Sequence, residues 1–226
     1  MYSHLLFDMD NTLYPASSAM NDGITKRMLE CVAEFFHCDF QKAVEIRKEK
    51  ITHFSTTLEW LRSEGMTDIE GFLRHVHPDN EADELLPQPG LREFLVSLPY
   101  KKSILTNAPY EHAERVLTKL GISDLFDSLT DIRDADFYGK PYPNAFKVAL
   151  QKVNENVEST LFLDDMQKYT DGWAALGGTA VLIGKDNGKP LEKTAESMIK
   201  AVQANKTGKA GKTIRLNSIY ELPDIL

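Results

Sequence analysis

Two carboxylates stand two positions apart near the beginning of the chain. Asp8 and Asp10 come directly after the apolar run at 5–7, which is typical of a short buried strand. Where a strand ends the chain bends into a loop, so both side chains can reach the edge at which open α/β sheets bind ligands. The pair could also be a helix N-cap and a turn, because Asp before Asn-Thr is common in loops.

A second acidic pair follows another apolar run. Asp164 and Asp165 come after Thr160–Leu163, and the same reasoning places them at the same edge of the sheet as Asp8 and Asp10. Four carboxylates cannot share a small site in ionised form without a cation, because like charges a few ångströms apart raise one another's pKa. Mg²⁺ prefers oxygen ligands, so it is the cofactor that this set of residues predicts.

A hydroxyl, an amide and a lysine complete the predicted site. Thr106 and Asn107 follow the apolar run at 103–105 and precede a predicted helix, where free backbone amides favour an anion such as a phosphate. They could equally cap that helix, and the two interpretations are compatible. Lys140 lies between a Gly and a Pro in a turn before another predicted helix. Most lysines are solvated surface groups, but this position favours a phosphate or carboxylate partner.

These clusters, in this order, resemble the four motifs of the haloacid dehalogenase superfamily: an Asp-x-Asp-x-Thr loop, a Ser or Thr after the second strand, a Lys, and a terminal acidic pair. Over roughly residues 1 to 185 the chain is similar to the pyrimidine 5′-nucleotidase branch of that superfamily. The stretches that carry it are Phe7–Pro15, Ser55–Leu58, Ile104–Ala108, His112–Leu117 and Leu120–Asp127.

The resemblance implies a magnesium-dependent phosphomonoester hydrolase in which Asp8 attacks phosphorus and forms an aspartyl-phosphate. Asp10 then acts as general acid and base. It further implies that Mg²⁺ is held by the Asp8 carboxylate, the Asp10 carbonyl and Asp165, with Asp164 in support. The residues implied to stabilise the transferring phosphoryl group are Thr106, Asn107 and Lys140.

The implied substrate is a small phosphorylated metabolite, with the pyrimidine mononucleotides UMP and CMP favoured by the branch. Tyr14, Thr56, Thr57 and Trp60 are candidates for the substrate side of the pocket, although Trp60 could equally belong to a hydrophobic core. Another metabolite such as a sugar phosphate is the nearest alternative, because the motifs contact only the phosphoryl group and the metal.

A different class of function is also open. Met166 and Tyr169 stand where the nucleotidase branch usually has Ser and Asn, and these departures favour a phospho-ligand binding module without turnover. A dehalogenase is the weaker alternative, because displacement at carbon does not need the second acid, Asp10.

After Pro15 the apolar spacing becomes helical, and from residue 91 onward strands and helices alternate as in a doubly wound parallel sheet. We therefore expect an α/β, Rossmann-like core at 1–14 and 87–226, with a helical cap domain at 15–86 inserted after the first strand and placed to act as a lid. Helices are expected at 24–36, 40–51, 57–63, 69–76, 91–98, 112–120, 143–153 and 191–204, with a short one ending at 174–176. His112 and Arg115 are expected on the polar side of their helix. Strands are expected at 101–105, 128–132, 160–163, 179–183 and 213–216, the last after a loop at 205–212.

Charge and cysteine content restrict the partners. The formal charge of −8 over 226 residues argues against nucleic-acid binding, which needs a basic face. Cys31 and Cys38 have no second pair to complete a zinc site and are expected to pack as small apolar residues in a reducing compartment. No apolar run approaches the length of a membrane span. We expect a cytoplasmic protein, and the sequence does not indicate its oligomeric state.

Overall fold

A computed structural model describes residues 2–15, 19–184 and 211–226. Its strands form one six-stranded parallel sheet in the order β3-β2-β1-β4-β5-β6. Strand β1 is therefore central, and the carboxyl ends of β2 and β4 lie on either side of its own. The strands are β1 (His4–Phe7), β2 (Lys101–Leu105), β3 (Ser128–Thr130), β4 (Thr160–Asp164), β5 (Thr179–Ile183) and β6 (Lys212–Leu216).

The inner strands of the sheet are buried on both faces. Successive residues of a strand point to opposite faces, and accordingly Leu5 and Phe7 belong to one apolar cluster while Leu6 belongs to the other. Both clusters contain fully buried aromatic rings, among them Trp173 and Phe146 in the smaller one. Strands buried on both faces read as continuous apolar runs, which is why β1 and β4 are recognisable in the sequence.

Eight α-helices are present among the described residues; five of them lie between β1 and β2, and the first four of these fall within residues 19–76. Side chains cap three of these first four helices: the Asp39 carboxylate accepts from the Lys42 amide, the Thr56 hydroxyl from the Glu59 amide, and the Asp68 carboxylate from the Gly71 amide. No helix in the described part of the chain is long and apolar enough to cross a membrane. The helices are α1 (Ala19–Phe35), α2 (Phe40–Lys50), α3 (Thr57–Ser63), α4 (Ile69–Val76), α5 (Leu91–Ser97), α6 (Tyr110–Leu120), α7 (Pro143–Val153) and α8 (Gln167–Ala175).

The α/β, Rossmann-like fold class is confirmed, with helices inserted after the first strand. The strand expected at 128–132 ends at Thr130, and β6 takes in Lys212, which we expected in a loop. The expected helix at 191–204 and most of the loop at 205–212 fall outside the described residues. The expectation for His112 is wrong, because this side chain has no exposed surface and so does not lie on a polar side of α6.

Candidate functional site

Lys140 and Asp8 form the centre of a buried charged cluster at the carboxyl ends of β1 and β4. The Lys140 ammonium donates to the Asp8 carboxylate at 2.5 Å and to the Asp164 carboxylate at 2.7 Å. The Thr12 hydroxyl donates to the second Asp8 oxygen at 3.1 Å. Lys140 is 1% exposed. Burial alone would lower its pKa, but Asp164 and Asp8 raise it, so the side chain is a fixed positive charge at neutral pH.

Asp165 adds a third carboxylate to this cluster. One oxygen each from Asp8, Asp164 and Asp165 lie within 4.8 Å of one another, and all three residues are buried. Burial, followed by the charges of neighbouring carboxylates, raises the pKa of Asp165 to about 9. Burial likewise raises the pKa of Asp8 to about 7, although Lys140 opposes this shift.

These three carboxylates fit a hard divalent cation. The cluster contains one ammonium and three carboxyl groups, and every atom that could bind a metal ion is an oxygen. The two oxygens of Asp164 already accept from Lys140 and from the Met166 amide, at 2.7 and 2.8 Å. Asp165 lines the cavity above the cluster, so Asp8 and Asp165 are the more available pair of ligands.

Asn107 fixes the backbone that carries Lys140. Its side-chain oxygen accepts from the Lys140 amide at 2.7 Å, and its side-chain nitrogen donates to the Lys140 carbonyl at 3.0 Å. Gly139 is required here, because an added Cβ would lie only 2.0 Å from the Asn107 oxygen. The buried Thr106 hydroxyl accepts from the Ala108 amide at 3.0 Å. Thr106, Asn107 and Lys140 all line the same cavity as Asp8.

Asp10 points to a different set of partners. Its carboxylate accepts from the Tyr14 hydroxyl and contacts His112 Nε2 at 2.9 Å. The other ring nitrogen of His112 lies 2.6 Å from the Glu81 carboxylate. Burial would lower the pKa of His112, but Asp10 and Glu81 raise it to about 9, so the ring is an imidazolium between two carboxylates. Burial would raise the pKa of Asp10, and His112 and Tyr14 lower it instead.

The partners of Glu81 complete a buried network that sequence reasoning missed. Glu81 contacts His77 Nδ1 at 3.1 Å and accepts from Arg115 at 2.9 Å, and an Arg27 nitrogen lies 3.6 Å away. Burial would raise the pKa of Glu81, but the two histidines lower it, so Glu81 stays ionised. Although His77, Glu81 and His112 are close enough to share an ion, two guanidinium groups beside Glu81 favour a charge-balanced network instead.

The cavity above Asp8 has a volume of about 300 Å³ and extends from the sheet edge to the inserted helices. Thr56 and Thr57 line it, as we expected. Tyr14 does not line it; its hydroxyl instead holds Asp10. Trp60 does not line it either: it has no exposed surface and its ring stacks on Phe36 with 5.3 Å between centroids. Of the two interpretations of Trp60, the structure favours that of a core residue.

The two unusual residues after the acidic pair have defined positions. The Tyr169 hydroxyl donates to the carbonyl of Ser55, in the loop before α3, at 3.1 Å. Its ring lies 5.1 Å from the Lys140 ammonium and 5.0 Å from that of Lys168, measured to the ring centroid. Met166 contributes its backbone amide to Asp164, a contact that does not depend on the side chain. Met166 therefore contributes to the charged cluster through its backbone, and the Tyr169 ring borders it.

A family model described as haloacid dehalogenase-like hydrolase matches residues 2–168. The chain belongs to this family. A relative of this chain in Saccharomyces cerevisiae, "Phosphate metabolism protein 8", is 26% identical over an alignment of 190 residues; the match covers 76% of the chain and 58% of the yeast protein. The chain thus spans less than two thirds of that relative's length.

Several solved structures have the same fold as this chain. L-2-haloacid dehalogenase from Xanthobacter autotrophicus, with chloropropionic acid covalently bound, has a TM-score of 0.58 at 17% identity. The alignment covers 100% of this chain and 98% of the dehalogenase chain. The magnesium-bound structure of YfnB from Bacillus subtilis has a TM-score of 0.60 at 16% identity, with coverage of 100% and 98%. A hydrolase from Pseudomonas syringae has a TM-score of 0.63 at 18% identity, with coverage of 99% and 97%.

Proposed function

We propose that this hydrolase is a magnesium-dependent phosphatase that cleaves a small phosphomonoester through an aspartyl-phosphate on Asp8. The observation that carries the proposal is the position of Asp8. Its carboxylate lies at the end of the central strand, lines the cavity, and is held by Lys140 and Thr12. A nucleophile held in this way, beside a fixed positive charge, suits attack on an anionic phosphoryl group.

In the first step an Asp8 oxygen forms a bond to phosphorus while the bond from phosphorus to the leaving oxygen breaks. Asp10 donates a proton to that leaving oxygen. Although the pKa of Asp10 is lowered in the free protein, a phosphoryl anion bound beside it adds negative charge and raises that pKa again. Asp10 then takes a proton from the water that attacks the aspartyl-phosphate, which releases inorganic phosphate and restores Asp8.

The contacts of Asp10 support this assignment over halide displacement. Tyr14 and His112 hold one oxygen of its carboxylate, and Glu81 holds His112. Displacement of a halide from carbon needs no proton for the leaving group, so a dehalogenase would not need a network that positions Asp10 as a general acid. The likeness to dehalogenase structures, at 17% identity, concerns the fold alone.

Mg²⁺ is the proposed cofactor, with Asp8 and Asp165 as carboxylate ligands, the Asp10 carbonyl as a third ligand and Asp164 in support. When bound, the ion would neutralise charge that develops on the phosphoryl oxygens. We propose that Lys140 supplies a permanent part of the same neutralisation and that the Thr106 hydroxyl and the Asn107 amide contact the phosphoryl group. Asn107 also keeps the Lys140 backbone in position.

The substrate we propose is a pyrimidine mononucleotide, UMP or CMP. The name of the yeast relative, which refers to phosphate metabolism, supports phosphate chemistry. We further propose that residues 15–86 form a cap domain whose Thr56 and Thr57 face the nucleoside, with the core at 1–14 and 87–226. A sugar phosphate is the alternative substrate. A cytoplasmic location and the absence of nucleic-acid partners stay predictions.

Hydrolysis of p-nitrophenyl phosphate, with and without EDTA, tests the phosphatase, and kcat/KM for UMP, CMP, AMP and GMP tests the base. We expect Mg²⁺-dependent turnover and a preference for pyrimidines, because the cavity of about 300 Å³ limits the size of the base. Equal values for purine and pyrimidine nucleotides would leave a phosphatase of other specificity. No turnover of any phosphomonoester would favour a binding module.

A further inference from the structure

Two cations line the cavity without a carboxylate partner. Among the described residues no carboxylate oxygen lies within 4 Å of the side-chain nitrogens of Arg47 or Lys168, although both residues are half-buried and line the cavity that contains Asp8. Charged groups withdrawn from water are normally paired. Lys140, in the same cavity, shows the contrast, because two carboxylates hold it.

Arg47 is held in place by neutral groups. Its Nε donates to the Thr57 hydroxyl at 2.9 Å, and one terminal nitrogen lies 3.8 Å from the Met28 sulfur. Burial lowers the pKa of Arg47, yet a guanidinium stays protonated in proteins. The Thr57 contact fixes the plane of the guanidinium, and within the described part of the chain the remaining N–H groups have no strong acceptor.

Lys168 approaches the same space from the core. Its ammonium donates to the Ser55 carbonyl at 2.5 Å and lies 5.0 Å from the Tyr169 ring centroid. Burial lowers its pKa to about 8, although the charges of Asp164, Glu59 and Asp165, which lie beyond ion-pair distance, oppose the shift. An ammonium has three donors, and the carbonyl takes one of them. Residues from both sides of the cavity therefore present hydrogen-bond donors with positive charge to it.

Apolar side chains form the adjoining wall. Ile24 and Met28 of α1, Ile51 after α2, and Phe72 and Leu73 of α4 line the cavity beside the two cations. A ligand here would meet this apolar surface and two cationic groups that can only donate hydrogen bonds, whereas the hydroxyls of Ser55, Thr56 and Thr57 in the same cavity can donate or accept. The complementary chemical group is a compact one that carries acceptor oxygens.

We propose that Arg47 and Lys168 form a donor-only subsite that binds acceptor oxygens, carboxylate or ring carbonyl, on the part of the substrate that is not cleaved. This subsite rests on the proposed phosphatase function and specifies its substrate, because it binds the group attached to the scissile phosphate. A pyrimidine substrate would then be uracil-bearing, because the carbonyl at position 4 of uracil accepts where the amino group of cytosine donates. A non-nucleotide substrate would be a phosphorylated carboxylic acid.

Two matched pairs of ligands test the subsite by binding. The probes are UMP against CMP, and 3-phosphoglycerate against glycerol 3-phosphate, titrated calorimetrically with Mg²⁺ into full-length Asp8→Asn protein, in which bound phosphomonoesters are not consumed. We expect the acceptor-rich member of at least one pair to bind roughly 10- to 100-fold more tightly, as for a hydrogen bond to a charged group. Adding Arg47→Met should reduce that ratio to about 1.

The control is Arg74→Met, which removes an exposed arginine from α4 and should leave the ratio as it is. If Arg47→Met does not fold, Arg47→Lys serves instead, because it keeps the charge but loses the planar fork and should lower the ratio partly. Equal binding within both pairs, or a ratio that survives Arg47→Met, overturns the subsite. Turnover of p-nitrophenyl phosphate by the wild-type protein is measured separately and decides the phosphatase function, so the two hypotheses can fail independently.

Discussion

Replacing His112 by Gln tests the network that holds the proposed general acid. His112 has no exposed surface and contacts two carboxylates, Asp10 at 2.9 Å and Glu81 at 2.6 Å. Gln can keep one donor for one of them but carries no charge. Hydrogen bonds to charged groups contribute about 1.5–3 kcal/mol each, and removing one partner of a buried ion pair costs about 3–5 kcal/mol.

We expect the free energy of unfolding to fall by about 2–4 kcal/mol, towards the lower part of these ranges because Glu81 keeps Arg115 and His77. General acid catalysis contributes about 10²- to 10⁴-fold. A misplaced Asp10 should therefore lower kcat by about 10²-fold for an alkyl phosphate. The loss should be smaller for p-nitrophenyl phosphate, whose leaving group departs as a stable anion. Denaturant unfolding and steady-state kinetics on both substrates measure these effects.

His75→Gln is the matched control, because His75 is an exposed histidine at the end of α4 that contacts Glu30 at 3.3 Å. It should change the free energy of unfolding by less than about 0.5 kcal/mol and leave both substrates alike. If His112→Gln loses activity equally on the alkyl and the aryl phosphate, His112 does not act through protonation of the leaving group. A loss of stability below about 1 kcal/mol would show that the buried charges are paired in some other way.

Three further predictions concern the charged cluster. Asp8→Asn should keep the fold, judged by circular dichroism, and lower kcat by roughly 10⁴-fold or more, because the covalent path is lost; appreciable turnover would contradict the nucleophile. EDTA should abolish activity and Mg²⁺ should restore it; full activity in chelator would refute the metal dependence. In magnesium titrations Asp165→Asn should raise the Mg²⁺ concentration needed for activity more than Asp164→Asn does, because both oxygens of Asp164 already accept from Lys140 and the Met166 amide. The pKa values of Asp8 and Asp165 are raised to about 7 and about 9, against about 3.9 for an Asp in an unfolded chain. In metal-free protein, protonation of these two carboxyl groups therefore stabilises the fold fully below about pH 4, and this stabilisation is lost as pH rises through 7 and 9. Mg²⁺ should therefore raise Tm more at pH 8.5 than at pH 6, since it binds the ionised carboxylates, and an equal shift at both pH values would count against the ligand set.

Much of the fold could be predicted from the sequence because its signals are local. Strands β1 and β4 are buried on both faces, so they appear as uninterrupted apolar runs. Thr56 and Asp68 are capping residues that mark the beginnings of α3 and α4. The boundary of β3 was less predictable, because the strand has three residues and its end depends on pairing with β2. Local pattern carries no information about where a neighbouring strand stops.

The charged cluster was predictable for a related reason. Asp8, Lys140 and Asp164 each stand at a strand end or in a turn, and parallel topology brings such positions to one edge of a sheet. His112 was not predictable in this way. The helical period of α6 assigns it to a polar face, and it is buried because Glu81, from the inserted segment, contacts it across 31 positions of sequence. A polar residue on a helix is usually exposed, but an ion pair with another element can bury it. Such a pair is visible only in the tertiary structure.

Arg47 and Lys168 extend the same reasoning to electrostatics. A chain with a formal charge of −8 should repel an anionic substrate at long range. Positive charges lining the cavity act over a few ångströms and in a partly desolvated space, where the effective dielectric constant is lower and each interaction is stronger than at the surface. Lys140 is paired with Asp8 and Asp164, whereas Arg47 and Lys168 have no carboxylate within 4 Å among the described residues. The local field of the cavity, and not the net charge of the protein, therefore determines which anions can bind.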